Sequence, residues 1–137
     1  MPERAPRPTW AGPGRVLVLV YVVFTLAAGA RSGVQIATRW HEAPLAYALS
    51  AVAALIYLAA TAGLAGGRRR LAMASCAAEL AGVLLIGTFS LVDPAAFPDA
   101  TVWSHYGSGY GFIPLLLPMA GLAWLRRTAS VTMESQY

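Results

Sequence analysis

The chain has 137 residues; 58% are hydrophobic before its 13 glycines are counted, and only 12% are charged. A soluble domain carries about 25% charge, and a chain this short has a large surface to keep wet. With a single cysteine, Cys76, these figures exclude a water-soluble domain, a disordered chain and a disulfide scaffold, and leave a small polytopic membrane protein of one domain. In chain order, residues 1–14 hold Pro2, Pro6, Pro8 and Pro13, too many for a helix, and read as a cytoplasmic Pro/Arg tail. The transmembrane domain follows over residues 15–127, and residues 128–137 form a polar cytoplasmic tail.

Four apolar stretches lie in that domain, at about 16–38, 44–65, 71–92 and 109–125. A helix needs about 20 residues to cross the hydrocarbon, so the first three fit and the fourth is short. Lipid-facing backbone must be paired internally. The segments also lack the alternation of barrel strands, so the expected fold is an all-α bundle of four transmembrane helices.

All ten basic residues are arginines. Arg4, Arg7 and Arg15 precede the first span, Arg68, Arg69 and Arg70 separate the second and third, and Arg126 and Arg127 follow the fourth. If both termini are cytoplasmic, these eight lie inside and only Arg39 lies clearly outside, as the positive-inside rule requires. The expected location is the bacterial cytoplasmic (inner) membrane. Arg68, Arg69, Arg70, Arg126 and Arg127 then form an inner basic rim that sets topology and attracts anionic headgroups. The net charge of +4 therefore points to a membrane surface and away from nucleic acid. Trp10 and Trp124 fall at the expected inner boundary, Trp40 and Trp103 at the outer one, where tryptophan anchors a helix. Ala28-Gly29-Ala30 after an arginine-flanked apolar run also fits a signal-peptide cleavage site, but the apolar pattern resumes beyond it, which favours an uncleaved first span.

Charges inside a bilayer are costly and turn toward the bundle interior. Two fall there. Glu79 lies eight residues into the third span, ~12 Å from its boundary, on a face with Ser75, Gly82, Ile86 and Ser90. Arg31 shares its face with Gln35 and Thr38, and the second span carries Tyr47, Ser50, Ala54, Tyr57 and Thr61 on one stripe. The three seams are expected to face one another, making Arg31, Gln35, Tyr57 and Glu79 the candidate intramembrane polar site. In one arrangement Arg31 reaches toward Glu79 through Gln35 or Tyr57. In the other, Arg31 pairs with Glu42 or Asp93 near the surface and Glu79 stays protonated. Gly29-x-x-x-Gly33, Gly63-x-x-x-Gly67 and Ala78-x-x-x-Gly82 fit the pattern that lets helices approach closely.

Other signals point to no chemistry. The Gly109-Tyr110-Gly111 run resembles part of a potassium filter but lacks its length and pore helix, and reads as a flexible lead into the fourth span. Pro114 and Pro118 should bend that span. His41, Glu42, Asp93, Asp99 and His105 share the outer side without metal-ligand spacing, and read as solvated loop residues. No nucleophile elbow occurs. No cofactor, metal or catalytic residue is therefore expected.

Three stretches carry a resemblance: Arg31-Ser-Gly-Val-Gln-Ile-Ala-Thr, Ala43-Pro-Leu-Ala-Tyr-Ala-Leu-Ser, and the run from Asp93-Pro through Phe97-Pro-Asp-Ala-Thr-Val-Trp-Ser to Tyr106-Gly-Ser-Gly-Tyr-Gly-Phe. Over residues 15–127 the chain resembles small four-span integral membrane proteins of high-GC bacteria. That resemblance implies topology and no activity. The expected role is a non-catalytic accessory or interaction subunit, with the lipid bilayer, a second copy of the chain or other membrane proteins as partners. The alternative is a small oligomeric transporter or channel using the Glu79/Arg31 seam.

Overall fold

The computed structural model describes residues 12–134, with side chains through residue 128; Trp10, expected as an anchor, lies outside the described residues. The fold is all-α. The helices are α1 (Pro13–Arg39), α2 (Pro44–Ala65), α3 (Arg69–Val92) and α4 (Ile113–Glu134), with short 3-10 turns at Trp40–Glu42, Pro94–Ala96 and Ser104–Tyr110. α1, α2 and α3 are each long and apolar enough to cross a membrane. The pair Ser104–Tyr110 and Ile113–Thr128, bent by 97°, supplies a fourth crossing if counted as one span.

The boundaries follow from local chemistry. Proline opens both α1 and α2, where its missing N–H is not needed and its φ already suits a helix. α2 ends at Gly66-Gly67: Gly67 takes φ +69°, and the Arg68 amide donates to the Gly63 carbonyl at 2.8 Å, the six-to-one bond of a Schellman cap. That cap turns the chain straight into α3. α4 starts four residues later than the expected 109 and runs nine beyond 125. Gly111 and Phe112 both have positive φ and break the helix before Ile113, whereas nothing in Arg126–Glu134 stops it once begun. The sharp bend thus precedes Pro114 and Pro118. Pro118 sits inside α4, and Pro114 packs beneath Gly107.

A continuous core of Tyr21, Phe24, Tyr57, Leu64, Val83, Trp103, Leu117 and Leu125 joins all four helices to the 93–112 segment. The perimeter carries large apolar side chains, among them Leu26 at 67% and Leu85 at 68% exposure. In water such a belt would drive aggregation; a bilayer is the solvent that suits it.

Two of the small residues, Gly63 and Gly82, serve the packing of the fold. A Cβ at Gly63 would lie 2.6 Å from the Ala72 backbone nitrogen, and one at Gly82 would lie 2.6 Å from the Trp103 ring. Gly63→Ala is therefore expected to force α2 from α3 and cost about 1–3 kcal/mol, read as a lower thermal midpoint in detergent. Gly109→Ala, where the added carbon meets nothing within 4 Å, is expected to leave that midpoint unchanged. Equal midpoints for the two variants would contradict this packing.

Candidate functional site

The polar centre forms where one stripe from each of three helices meets the loop segment. On α1 the buried positions are Tyr21, Phe24, Ala28, Ser32 and Gln35, spaced three and four apart as one helical face requires. α2 contributes Tyr47, Ser50, Ala54 and Tyr57, and α3 contributes Ser75, Cys76, Glu79, Val83 and Ser90. The α2 and α3 stripes carry the expected residues. On α1 the inward face is rotated: Gln35 is buried, but Arg31 and Thr38 are exposed.

Glu79 has no exposed surface. Its Oε2 accepts a hydrogen bond from the Tyr21 hydroxyl at 2.7 Å, and that hydroxyl also lies 3.4 Å from Cys76 Sγ. Gly121 of α4 closes the pocket: a Cβ there would sit 2.8 Å from Cys76 Sγ and 3.6 Å from the Tyr21 hydroxyl. Glu79 Oε1 is the one fully buried side-chain polar atom without a hydrogen-bond partner among the described residues. α1 and α3 thus meet at one carboxyl, with α4 packed against the Tyr21 hydroxyl and Cys76 sulfur beside it.

Toward the loop end an aromatic series continues from this centre. The Tyr21 and Tyr57 rings lie 6.3 Å apart, Phe24 meets Tyr57 edge-on at 5.9 Å, and Phe24 meets Tyr110 at 5.9 Å. Trp103 Nε1–H donates to the Tyr57 hydroxyl at 2.9 Å. The expectation that Trp103 anchors at the membrane surface is therefore corrected: it is 3% exposed and stands in the bundle. A short turn drives it inward. Its amide donates to Thr101 Oγ1 at 3.1 Å, the Thr101 amide donates to Ser104 Oγ at 2.8 Å, and the His105 amide donates to Ser90 Oγ on α3 at 3.0 Å. Trp124 is likewise corrected; it is 7% exposed and belongs to the core. Trp40 is exposed at the end of α1.

The loop segment is built, where the sequence suggested solvated or flexible chain. His105, Tyr106 and Gly107 take left-handed φ values in succession. Tyr106 lays its ring on Gly87 and its hydroxyl 2.8 Å from Thr88 Oγ1. Asp99 accepts from the Tyr47 hydroxyl at 3.1 Å, and Phe97 meets Phe89 edge-on. Among the described residues no three His, Cys, Asp or Glu side chains gather as a metal site would need.

Arg31 and Glu79 are not brought together. Arg31 donates to the Tyr110 hydroxyl while Glu79 bonds Tyr21. Arg31 lies three residues C-terminal to the buried stripe's centre at Ala28 and on its flank, which aims the guanidinium at the turn that precedes α4. Arg39 and Glu42 form an ion pair, long at 4.0 Å and exposed. At the opposite end Arg69 leaves the expected basic rim to donate to the Leu125 carbonyl at 2.5 Å and to Thr128 Oγ1 at 2.8 Å, pinning α3 to α4. Arg68, Arg70, Arg126 and Arg127 are exposed. Sequence reasoning missed Tyr21; its place on the 21–24–28–32–35 stripe was the available signal.

No protein-family model matches this chain, and neither the curated proteins nor the solved structures contain a match.

Tyr21→Phe removes the one hydrogen bond held by Glu79 and is expected to cost about 1–3 kcal/mol, the scale for an unsatisfied buried polar group. In a detergent stability cycle, Tyr21→Phe and Glu79→Leu together should lose clearly less than the two single losses added. Arg31→Met with Glu79→Gln should be additive, since the side chains do not touch. Coupling in the second cycle and additivity in the first would reverse the assignment.

Proposed function

We propose that this chain is an accessory or interaction subunit, without catalysis of its own, of the bacterial cytoplasmic membrane, crossing it four times with both termini inside. The eight arginines at the terminal and α2–α3 flanks support the orientation. One observation carries the role. Gly29 and Gly33 stand on the outer surface of α1, where an added Cβ meets nothing within 4 Å. Leu26 and Ile36, also exposed, extend the same stripe at three- and four-residue spacing. Gly63 and Gly82 are consumed by packing within the chain; this pair is not. A small-xxx-small ridge is the surface that lets a second transmembrane helix approach to backbone contact. The chain's work on this reading is to present α1 to another helix, in a second copy or in a different membrane protein, with the sealed Glu79 centre holding α1 in place.

A second reading, a small oligomeric transporter or channel, is favoured by the unpartnered Glu79 Oε1, an acceptor inside the bundle that could carry a proton.

Full-length protein in mild detergent and in proteoliposomes tests both. Complexes larger than one chain are expected for the native sequence, by native electrophoresis and by energy transfer between labelled copies. Gly29→Ile/Gly33→Ile is expected to abolish them while leaving the thermal midpoint within a few degrees. Complexes unchanged in the double variant would overturn the α1 assignment. Proton or solute flux in proteoliposomes that Glu79→Gln abolishes would replace it with the transporter reading.

A further inference from the structure

Along the flank of α1 opposite the glycine ridge lie two depressions, bordered by α1 and the 99–113 segment. The first is an apolar groove of about 230 Å³, walled by Val23, Phe24, Ala27, Val102, Tyr110 and Ile113. The second, of about 500 Å³, lies nearer the end of α1 and is lined by Ala30, Arg31, Val34, Gln35, Arg39 and Asp99. They adjoin at a single contact, since the Arg31 guanidinium of the second donates to the Tyr110 hydroxyl of the first. An apolar trough beside a depression lined by two arginines offers an amphiphile both of the surfaces it needs.

We propose that this seam binds one anionic glycerophospholipid, its phosphate held by Arg31 with Arg39 beside it and one acyl chain lying in the groove between α1 and the 102–113 segment. Arg31 is the basic group here without an acidic partner among the described residues. The polar depression is lined by two arginines and one aspartate; Arg39 has Glu42 at 4.0 Å, and Asp99 accepts from the Tyr47 hydroxyl and the Ala100 amide. Arg31 lies eight residues before the end of α1, ~12 Å along the axis. An arginine at that depth needs a counter-charge, and the planar fork of guanidinium matches phosphate oxygens two at a time. Arg39, eight residues on and ~80° round the helix, lines the same depression. The groove is smaller than the roughly 300–1,000 Å³ of pockets that enclose compact ligands and is open along its length, which suits a single chain. Basic pockets between transmembrane helices recognise phospholipid headgroups in this way. The inference does not depend on the interaction reading above, because it uses the other flank of α1.

Native mass spectrometry of the full chain in detergent tests it. The probes are phosphatidylglycerol, phosphatidylcholine with the same acyl chains, and inorganic phosphate. One phosphatidylglycerol should be retained at a concentration at least tenfold below that needed for phosphatidylcholine. Arg31→Gln should erase that preference, and Arg39→Gln, a change at an exposed position, should weaken it several-fold. Ala27→Phe, which fills the trough, should lose both lipids. Equal retention of the two lipids by the native chain would overturn the headgroup assignment. Competition by inorganic phosphate at millimolar concentration would identify a free-anion site instead, and native-like retention by Ala27→Phe would remove the acyl chain from the groove.

Discussion

Glu79 sits midway along α3 with neither water nor lipid in reach, and a group of that kind constrains everything packed around it. A carboxyl moved out of water loses its solvation unless hydrogen bonds replace it. Here one replacement is available, from Tyr21, so α1 must hold a single height and rotation relative to α3. That rotation turns Phe24, Ala28, Ser32 and Gln35 inward with Tyr21, and leaves Gly29 and Gly33 on one flank and Arg31 on the other. The close approach of α4 is set at the same level, where Gly121 leaves room for the Cys76 sulfur. Both surfaces to which a role is assigned, the glycine ridge and the lipid seam, are thus consequences of how one hydrogen bond rotates α1.

The loop end is organised by a second insertion. Trp103 enters between the helices over Gly82 and bonds Tyr57, and Tyr106 covers Gly87. Each ring occupies space that a larger residue on α3 would fill. The left-handed run His105–Gly107 costs backbone strain of order 1–3 kcal/mol per non-glycine residue. That cost is borne because it places Tyr106 on α3 and sends the chain into α4 beside α1. Segment 93–112 therefore acts as a lid fixed to the bundle, and α4 needs no length before Ile113 to reach the other helices.

The helices were legible because an apolar run of about 20 residues admits one solution in a bilayer, and because Pro13, Pro44 and Gly66-Gly67 mark ends by chemistry that acts within a few residues. The inward stripes of α2 and α3 were legible from Tyr57 and Glu79 at helical spacing. What the pattern could not give was set by contacts distant in sequence. Trp103 reads as an interface residue by its position, and only the turn from Thr101 to Ser104, tied to Ser90, shows that it points inward. Arg31 and Glu79 look like partners because both are charged, yet α1 rotates to satisfy Glu79 with a tyrosine hydroxyl that lies inside an apolar run. Arg69 counts as one of three equivalent arginines until Leu125 and Thr128 of α4 are found beside it.

The sealing of Glu79 is the claim on which the rest stands, and its reactivity reads it directly. Dicyclohexylcarbodiimide is apolar and modifies carboxyls that membrane solvent can reach. With the native chain in bilayers, Glu79 should stay unmodified as judged by mass of the peptide that contains it, while Tyr21→Ala, which opens a cavity beside the carboxyl, should make it reactive. Modification of Glu79 in the native bundle at the rate seen in Tyr21→Ala would contradict the account.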